Sequence, residues 1–514
     1  MLQISLDKDP TLCPGNFICL DQVWDGALFE ISIDADLFRH RIVDQIYIFR
    51  APHQAYNNFM MKKNNQEEKK ALPLKQKRFA QGLPVLNPYA AGIDIGDSKY
   101  DVALPCNDGH EVREYATFTC DLKNMVKWLK EEGITTVAME STGIYWLNLY
   151  LMLEEEGIEP YLVNARHAKN VTGRKRDDTD AIWLQKLHSC GLLQKSFQPE
   201  GTLRTLREYV RQRKRLTNDR SDTVRRMQKA LEMMNVKLHI VISDILGKTG
   251  MQMVQAILQG ERDPDILLKL KDHRIKASDE DIRKSLDGIW KEELLFMLQQ
   301  AYDGYCFYQK QIKQCEEKIK EILLSMAAKI LDGDITNLGA TRDKKPQKND
   351  LSFNVQKILH IIVGVDLCKI TSISEVTALE LISEIGTDMT KWKSGKHFSA
   401  WLNLTPNTKI TGGKVISSKM QKKKNQAGIT LRMAASNLSK SKSHLGDYAR
   451  KMRSRIGKKG AVIASAHKLS RIIYAMIKEK AEFDMNIYVD SQKMWKQQRI
   501  KQLENQLKHL RNVA

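Results

Sequence analysis

Residues 90–105 read AAGIDIGDSKYDVALP. The first half is an apolar run of strand length, broken by one acid, Asp94, in the glycine-flanked GIDIG (92–96). KYDVALP (99–105) alternates as a strand does, and REYATFT (113–119) alternates again. From Leu122 to Glu132 the apolar spacing becomes helical. ITTVAME (134–140) then reads as a buried strand ending in an acid. Ile144–Glu156 reads as a helix and IEPYLVN (158–164) as a further strand. Strand, strand, strand, helix, strand, helix, strand is an α/β order. A helix running from near Asp177 to Leu193 closes this domain, whose expected span is 89–195.

Outward from it, the texture changes on both sides. Residues 1–88 form an N-terminal extension. Its first 59 residues show no clean period, and Met60 and Met61 open the lysine-rich MMKKNNQEEKKALPLKQKR. We expect this extension to be partly disordered, or translation to begin at that methionine pair. On the other side, residues 196–331 are mostly helical. LRTLREYVRQRKRLTNDRSDTVRRMQKALEMM (203–234) and a second long helix over Trp290–Met326 suggest a helical hairpin or coiled coil. Residues 332–354, with Lys344, Lys345, Pro346 and Lys348, read as a polar linker. Residues 355–485 are helical apart from a loop at 405–425, and 486–514 form a basic helical tail. The fold class is therefore α/β plus all-α, and 514 residues suffice for about three domains.

Composition narrows the partners. A hydrophobic content of 42% is too high for a disordered chain. No apolar run is long enough to span a membrane, and no basic-then-apolar leader opens the chain. The eight cysteines form no C-x-x-C pair, which reads as reduced thiols in a cytoplasm rather than a disulfide or zinc framework. The net charge is +20, and it is concentrated. Residues 391–459 hold eighteen Lys and Arg against one acid, Asp447. A run this basic, interrupted by Gly-rich and aromatic elements, points to a polyanion, most directly nucleic acid. Binding through it would be strongly salt-dependent.

The acids carry the chemistry. Asp94 ends the first strand and Glu140 a later one, while Asp177 and Asp180 lie three apart in RKRDDTDA (174–181) at a helix start. That spacing sets both on one helical face. Taken singly, each acid could simply cap a turn or a helix N-terminus. Taken together, at strand ends of an α/β domain, they could hold two divalent cations for phosphodiester cleavage. Hard oxygen donors favour Mg²⁺ over zinc.

GIDIG, VAMESTGIYW (137–146) and the K-x-D-x-x-D-A pattern of Lys175 to Ala181, in this order, resemble the acidic motifs of the DEDD-type insertion-sequence transposases. IIVGVDLCKITSISEVTALELISEIG (361–386) resembles the helix-hairpin-helix-like opening of that family's C-terminal domain. HFSAWLNLTP (397–406), ITGGK (410–414) and LRMAA (431–435) resemble its core. The resemblance covers about 90–485. It implies an RNase H/RuvC-like catalytic domain and a mostly helical transposase domain. It also implies Mg²⁺ held by Asp94, Glu140, Asp177 and Asp180, DNA as substrate, a noncoding bridge RNA as guide, a homo-oligomer (dimer or tetramer), and a nucleoid-associated place in a prokaryotic cytoplasm. The family attacks DNA with a serine in its C-terminal domain, five residues after the proline of L-T-P. Here that register falls on Thr411, whose extra methyl crowds the hydroxyl. Ser417 and Ser418, in VISSK (415–419), are the alternatives.

Around these hydroxyls, Lys409, Lys414, Lys419 and Arg432 would meet nucleic acid beside the reacting phosphate, and Lys422, Lys423 and Lys424 would grip the backbone. Trp392 and Trp401 read as core residues first and base-stacking residues second. Two rival readings stand beside the transposase: a RuvC-like junction resolvase with no covalent step, and an inactive nucleic-acid-binding relic. A resolvase has no need of a hydroxyl beside the basic patch.

Overall fold

The computed structural model describes residues 84–106, 109–164, 179–199, 201–331, 349–420 and 425–484, with strands between residues 12 and 34 and helical positions at 497 and 500–506. Its chain falls into two compact units, Met1–Phe197 and Gln198–Ala514.

In the first unit, β1 (Leu12–Cys13), β2 (Phe17–Trp24) and β3 (Ala27–Asp34) make a small antiparallel sheet. The α/β domain follows in the order read from the sequence: β4 (Ala90–Ile95), β5 (Lys99–Cys106), β6 (Gly109–Ala116), α1 (Thr119–Glu131), β7 (Thr136–Glu140), α2 (Trp146–Glu155), β8 (Glu159–Val163) and α3 (Asp180–Ser189). The five strands form one mixed sheet in the order β6-β5-β4-β7-β8. The first three pair antiparallel, and β4, β7 and β8 run parallel.

Strand alternation divides the core in two. Ala91, Ile93, Val102, Val137 and Met139 point to the face covered by α1 and α2, where Met125, Leu129, Leu149 and Leu153 are fully buried. Ala138 and Val163 belong to the other face and pack with Leu184 and Leu187 of α3. Gly92 is what lets α3 lie against the sheet: a Cβ there would collide with the backbone of Ala181 and Gln185. Buried Gln185 secures the contact by donating from Nε2 to the Ala90 carbonyl at 3.1 Å. Burial pushes His188, on the same helix, down to about 4, so it stays neutral and lies 2.9 Å from the Thr136 hydroxyl.

The second unit is built on two long helices, α4 (Gly201–Met233) and α9 (Glu292–Leu331). Between them, α5 (Leu238–Val241), α6 (Lys248–Leu258), α7 (Pro264–Leu268) and α8 (Asp279–Leu286) bury Met253, Ile257, Leu267 and Ile282 against Met227, Leu231 and Leu298. The expected helical hairpin is therefore present, and a small helical cluster at its tip supplies a core of its own. Along the shaft, Arg213 and Glu316 pair at 2.7 Å with both side chains buried. Arg213 also donates to the Asn349 carbonyl, and Glu316 accepts from the Ser352 amide. The buried pair is thus hydrogen-bonded on both of its sides.

The C-terminal part comprises α10 (Val355–Val363), a short turn at Leu367–Lys369, α11 (Glu375–Ile385), α12 (Gly395–Trp401), β9 (Lys409–Thr411), β10 (Lys414–Ser417), α13 (Gln426–Leu438) and α14 (His444–Glu479). Gly457, at φ +74°, breaks α14 into two arms. Lys214 of α4 and Thr430 of α13 each place a donor 2.7 Å from a Glu380 oxygen, tying α4, α11 and α13 together. Trp392, which is buried, and Trp401, which is half-buried, pack ring to ring at 5.1 Å beside Phe398, so Trp392 is a core residue. Among the described residues, 60% are helical. The expected loop at 405–425 differs in one respect: residues 409–417 form a two-stranded hairpin.

Candidate functional site

Asp94 is the one position of β4 that is not fully buried, and Glu140 holds the same place in β7. The parallel register pairs Ala90 with Thr136 through to Ile93 with Met139, so the next pair in step is Asp94 with Glu140. Such neighbours share a face, at the spacing of roughly 4.8 Å between strands. The face is set by alternation: Asp94 follows Gly92 and Glu140 follows Ala138, so both look towards the α3 side. Helix α3 runs against β4 in the opposite sense. Ser189 accepts from the amides of Leu86 and Asn87, Gln185 reaches Ala90, and Ala181 abuts Gly92. The first residue of α3, Asp180, therefore comes to the Asp94 end of the sheet. Thr179 caps this helix, its side chain accepting from the Ile182 amide at 3.3 Å.

Three of the four expected acids thus share one end and one face, each half-buried. Asp177 lies outside the described residues, as do Lys422, Lys423 and Lys424. Among the described residues, no three His, Cys, Asp or Glu side chains are gathered closely enough to hold an ion. The donor set, all carboxylate oxygen, is of the kind that suits a hard divalent cation. The antiparallel register adds a carboxylate that local reading missed: Asp101 of β5 pairs with Asp94 and points to the same face. Its signal was the alternation of KYDVALP, but only pairing shows which acid it meets. Beyond Glu140, the 141–145 turn is fixed by the Tyr100 hydroxyl donating to the Tyr145 carbonyl at 2.7 Å, and Ile144 stands 80% exposed.

The hydroxyls occupy a different setting. Gly412 and Gly413, at φ +54° and +76°, make the two-residue turn that joins β9 to β10. The pairs are Thr411 with Lys414, Ile410 with Val415 and Lys409 with Ser417, with Ile416 bulged between the last two. Lys409, Thr411, Lys414 and Ser417 accordingly share one face. Thr411 is exposed and Ser417 half-buried, while Ser418 is exposed just beyond the strand. At the base, the Asn407 amide donates to the Lys419 carbonyl at 3.1 Å. Helix α13 supports this base. Gly428 lets it lie against the Leu402 carbonyl without a Cβ clash, and Asn425 donates to the Trp401 carbonyl at 3.1 Å. Arg432 lies next to the same turn, with Nη1 3.4 Å from the Asn403 carbonyl. Arg432 is thus near the hairpin base, and Lys409, Lys414 and Lys419 are exposed along it.

Among the described residues, no helix is long and apolar enough to cross a membrane. No curated protein matches the chain significantly. Two family profiles do match: a DEDD-type IS110 transposase over residues 91–236, and the transposase IS116/IS110/IS902 family over 366–450. The first takes in the sheet bearing Asp94 and Glu140 and the helix that opens with Asp180, and the second the hairpin bearing Thr411 and Ser417, with Ser418 just beyond it. Matched in this order, the two profiles make the chain similar to the IS110-family transposases.

Proposed function

We propose that this transposase excises and inserts its element by DNA strand cleavage and rejoining, with Asp94, Glu140, Asp177 and Asp180 holding Mg²⁺ and a hairpin hydroxyl attacking the phosphodiester. The observation that carries it is the register: Asp94 and Glu140 are neighbours on the face where α3 begins with Asp180. Bound there, the cation would stabilise charge developing on the reacting phosphate oxygens. The chain's own groups divide the remaining work. Thr411, or Ser417 or Ser418 in its place, would form an ester to phosphorus and release a strand end as a hydroxyl; attack by a strand end on that ester would rejoin the DNA. Lys409, Lys414, Lys419 and Arg432 would balance the phosphate charge, and Lys422, Lys423 and Lys424 would hold the backbone.

The likeness to the IS110-family transposases supports a noncoding guide RNA as a second ligand, and the eighteen-to-one excess of basic residues over 391–459 suits nucleic acid. We place the protein, as a homo-oligomer, on the nucleoid of a prokaryotic cytoplasm.

The test is an excision assay on the element that encodes the chain, comparing wild type with Asp94→Ala, Thr411→Ala and Ser417→Ala, together with mapping of any covalent DNA adduct. Loss with Asp94→Ala and with one hydroxyl variant is expected, the adduct sitting on that same hydroxyl. Normal excision by Asp94→Ala would end the reading. Excision with no adduct on any of the three hydroxyls would favour the resolvase-like alternative.

A further inference from the structure

The β9–β10 hairpin has a second face. Ile410 and Val415 form a cross-strand pair on the side opposite Thr411 and Lys414, and they are 61% and 60% exposed. Ile416, put out of register by the bulge, is 68% exposed. A two-stranded ribbon with both faces open gains little from its own packing. Three β-branched apolar side chains at its surface therefore call for a partner that buries them. The setting selects that partner. The apolar pair is bracketed by Lys409 and Lys414 on the opposite face, with Lys419 at the hairpin base, within the most basic segment of the chain. An apolar face backed by cations on the ribbon's other side complements a nucleic acid whose bases have been parted, presenting apolar ring faces between phosphates.

The geometry points to a wedge: with the hydroxyl face of the hairpin on the scissile strand, Ile410, Val415 and Ile416 pack against an unstacked base at the same step and hold the duplex open there. This rests on the reading that the hydroxyl face meets a DNA phosphodiester. It goes beyond that reading by giving the apolar face a ligand, the ring face of a nucleobase. The same ribbon would then do two things at one step, presenting the nucleophile on one side and keeping the strands apart on the other.

The test uses the full chain and two short DNA duplexes of one sequence, one fully paired and one with a single 2-aminopurine in a mismatch. A wedge spares itself unstacking work on the mismatched duplex. Wild type is expected to bind that duplex roughly tenfold more tightly and to raise 2-aminopurine fluorescence. Ile410→Thr/Val415→Thr keeps β-branched residues at both positions, so the strands still pair. It is expected to bind both duplexes equally, with no fluorescence rise and an unchanged salt dependence. Ile416→Thr, at the bulge, is expected to reduce the preference in part. Wild type binding the two duplexes equally, or the double variant keeping the preference, overturns the wedge and leaves the DNA-acting reading intact. A double variant whose only change is weaker self-association in sedimentation overturns it too, by making this face a contact between copies. Failure of wild type to bind either duplex removes the DNA-acting reading as well.

Discussion

The acids and the hydroxyls are held in opposite ways. Asp94 and Glu140 end strands whose other residues are buried, on a sheet packed on both sides. Thr411 and Ser417 stand on a ribbon anchored at its base and open along its length. The first arrangement fixes carboxylates by register, so their relative position is set once the sheet has formed. The second leaves the attacking group on an element whose local order rests on a turn, a short cross-strand ladder and a hydrogen bond at its base. A metal-binding site rewards rigidity, because its donors must converge before the ion arrives. A nucleophile that must reach and release a DNA strand is better served by an element that binding can order.

The largest expected break in this comparison is chemical. Asp94→Asn keeps shape and hydrogen-bonding capacity but removes the charge. Excision is expected to fall on the order of 10³-fold, with the unfolding midpoint little changed, since the residue is only half-buried. An Asn variant with wild-type excision would show that this carboxylate is not at the reacting centre. Next comes Gly92→Ala. Its Cβ has nowhere to go but into the backbone of Ala181 and Gln185, so α3 must shift and take Asp180 with it. A destabilisation of about 3 kcal/mol, measured by chemical unfolding, should accompany loss of excision.

A smaller effect tests how firmly α3 is seated. Burial holds His188 neutral, at about 4 against an ordinary 6.5. The unfolded chain therefore takes up a proton before the folded one does. Stability from this site is complete above pH 6.5, is lost as pH falls from 6.5 towards 4, and changes no further below that. The loss is about 3 kcal/mol. Unfolding curves for wild type and His188→Gln across this window measure it. A slope equal in both would mean that His188 is not held neutral against Thr136.

Legibility in the sequence followed the range of the interactions. The α/β order was readable because each of its strands and helices carries its own period, from AAGIDI to EPYLV. The placement of Asp94, Glu140 and Asp180 on one face was readable only as a pattern of strand ends, since the pairing that unites them is non-local. Asp101 went unnoticed for that reason: its partner lies across a strand register that no local window contains. The hairpin at 409–417 was read as a loop because its strands have three and four residues, too few for alternation to register. The paired glycines of ITGGK were its one local mark, as a two-residue turn. The helical cluster at the tip of the α4–α9 hairpin was likewise hidden, its helices being short and stabilised by contact with Met227 and Leu231 rather than by long amphipathic runs.

The smallest expected effect sharpens the comparison most, because it repeats a glycine-to-alanine change in the other setting. Nothing lies within 4 Å of a Cβ built on Gly413, so Gly413→Ala meets no steric obstacle. What it meets is torsional: φ is +76°, which costs an L-residue about 1–2 kcal/mol. That cost falls on the hairpin alone, since its strands are exposed and contribute no buried residue to the core. The unfolding midpoint of the chain should therefore stay where it is, while excision falls roughly five- to tenfold as the paired ribbon becomes less populated. DNA binding at low salt should be nearly unchanged, because the lysines remain. If Gly413→Ala instead lowers the midpoint as far as Gly92→Ala does, the ribbon is part of the cooperative core, and the two halves of the chemistry are supported alike. If neither midpoint nor excision responds, the turn does not set the nucleophile, and Ser418, just outside the paired strands, becomes the stronger choice over Thr411.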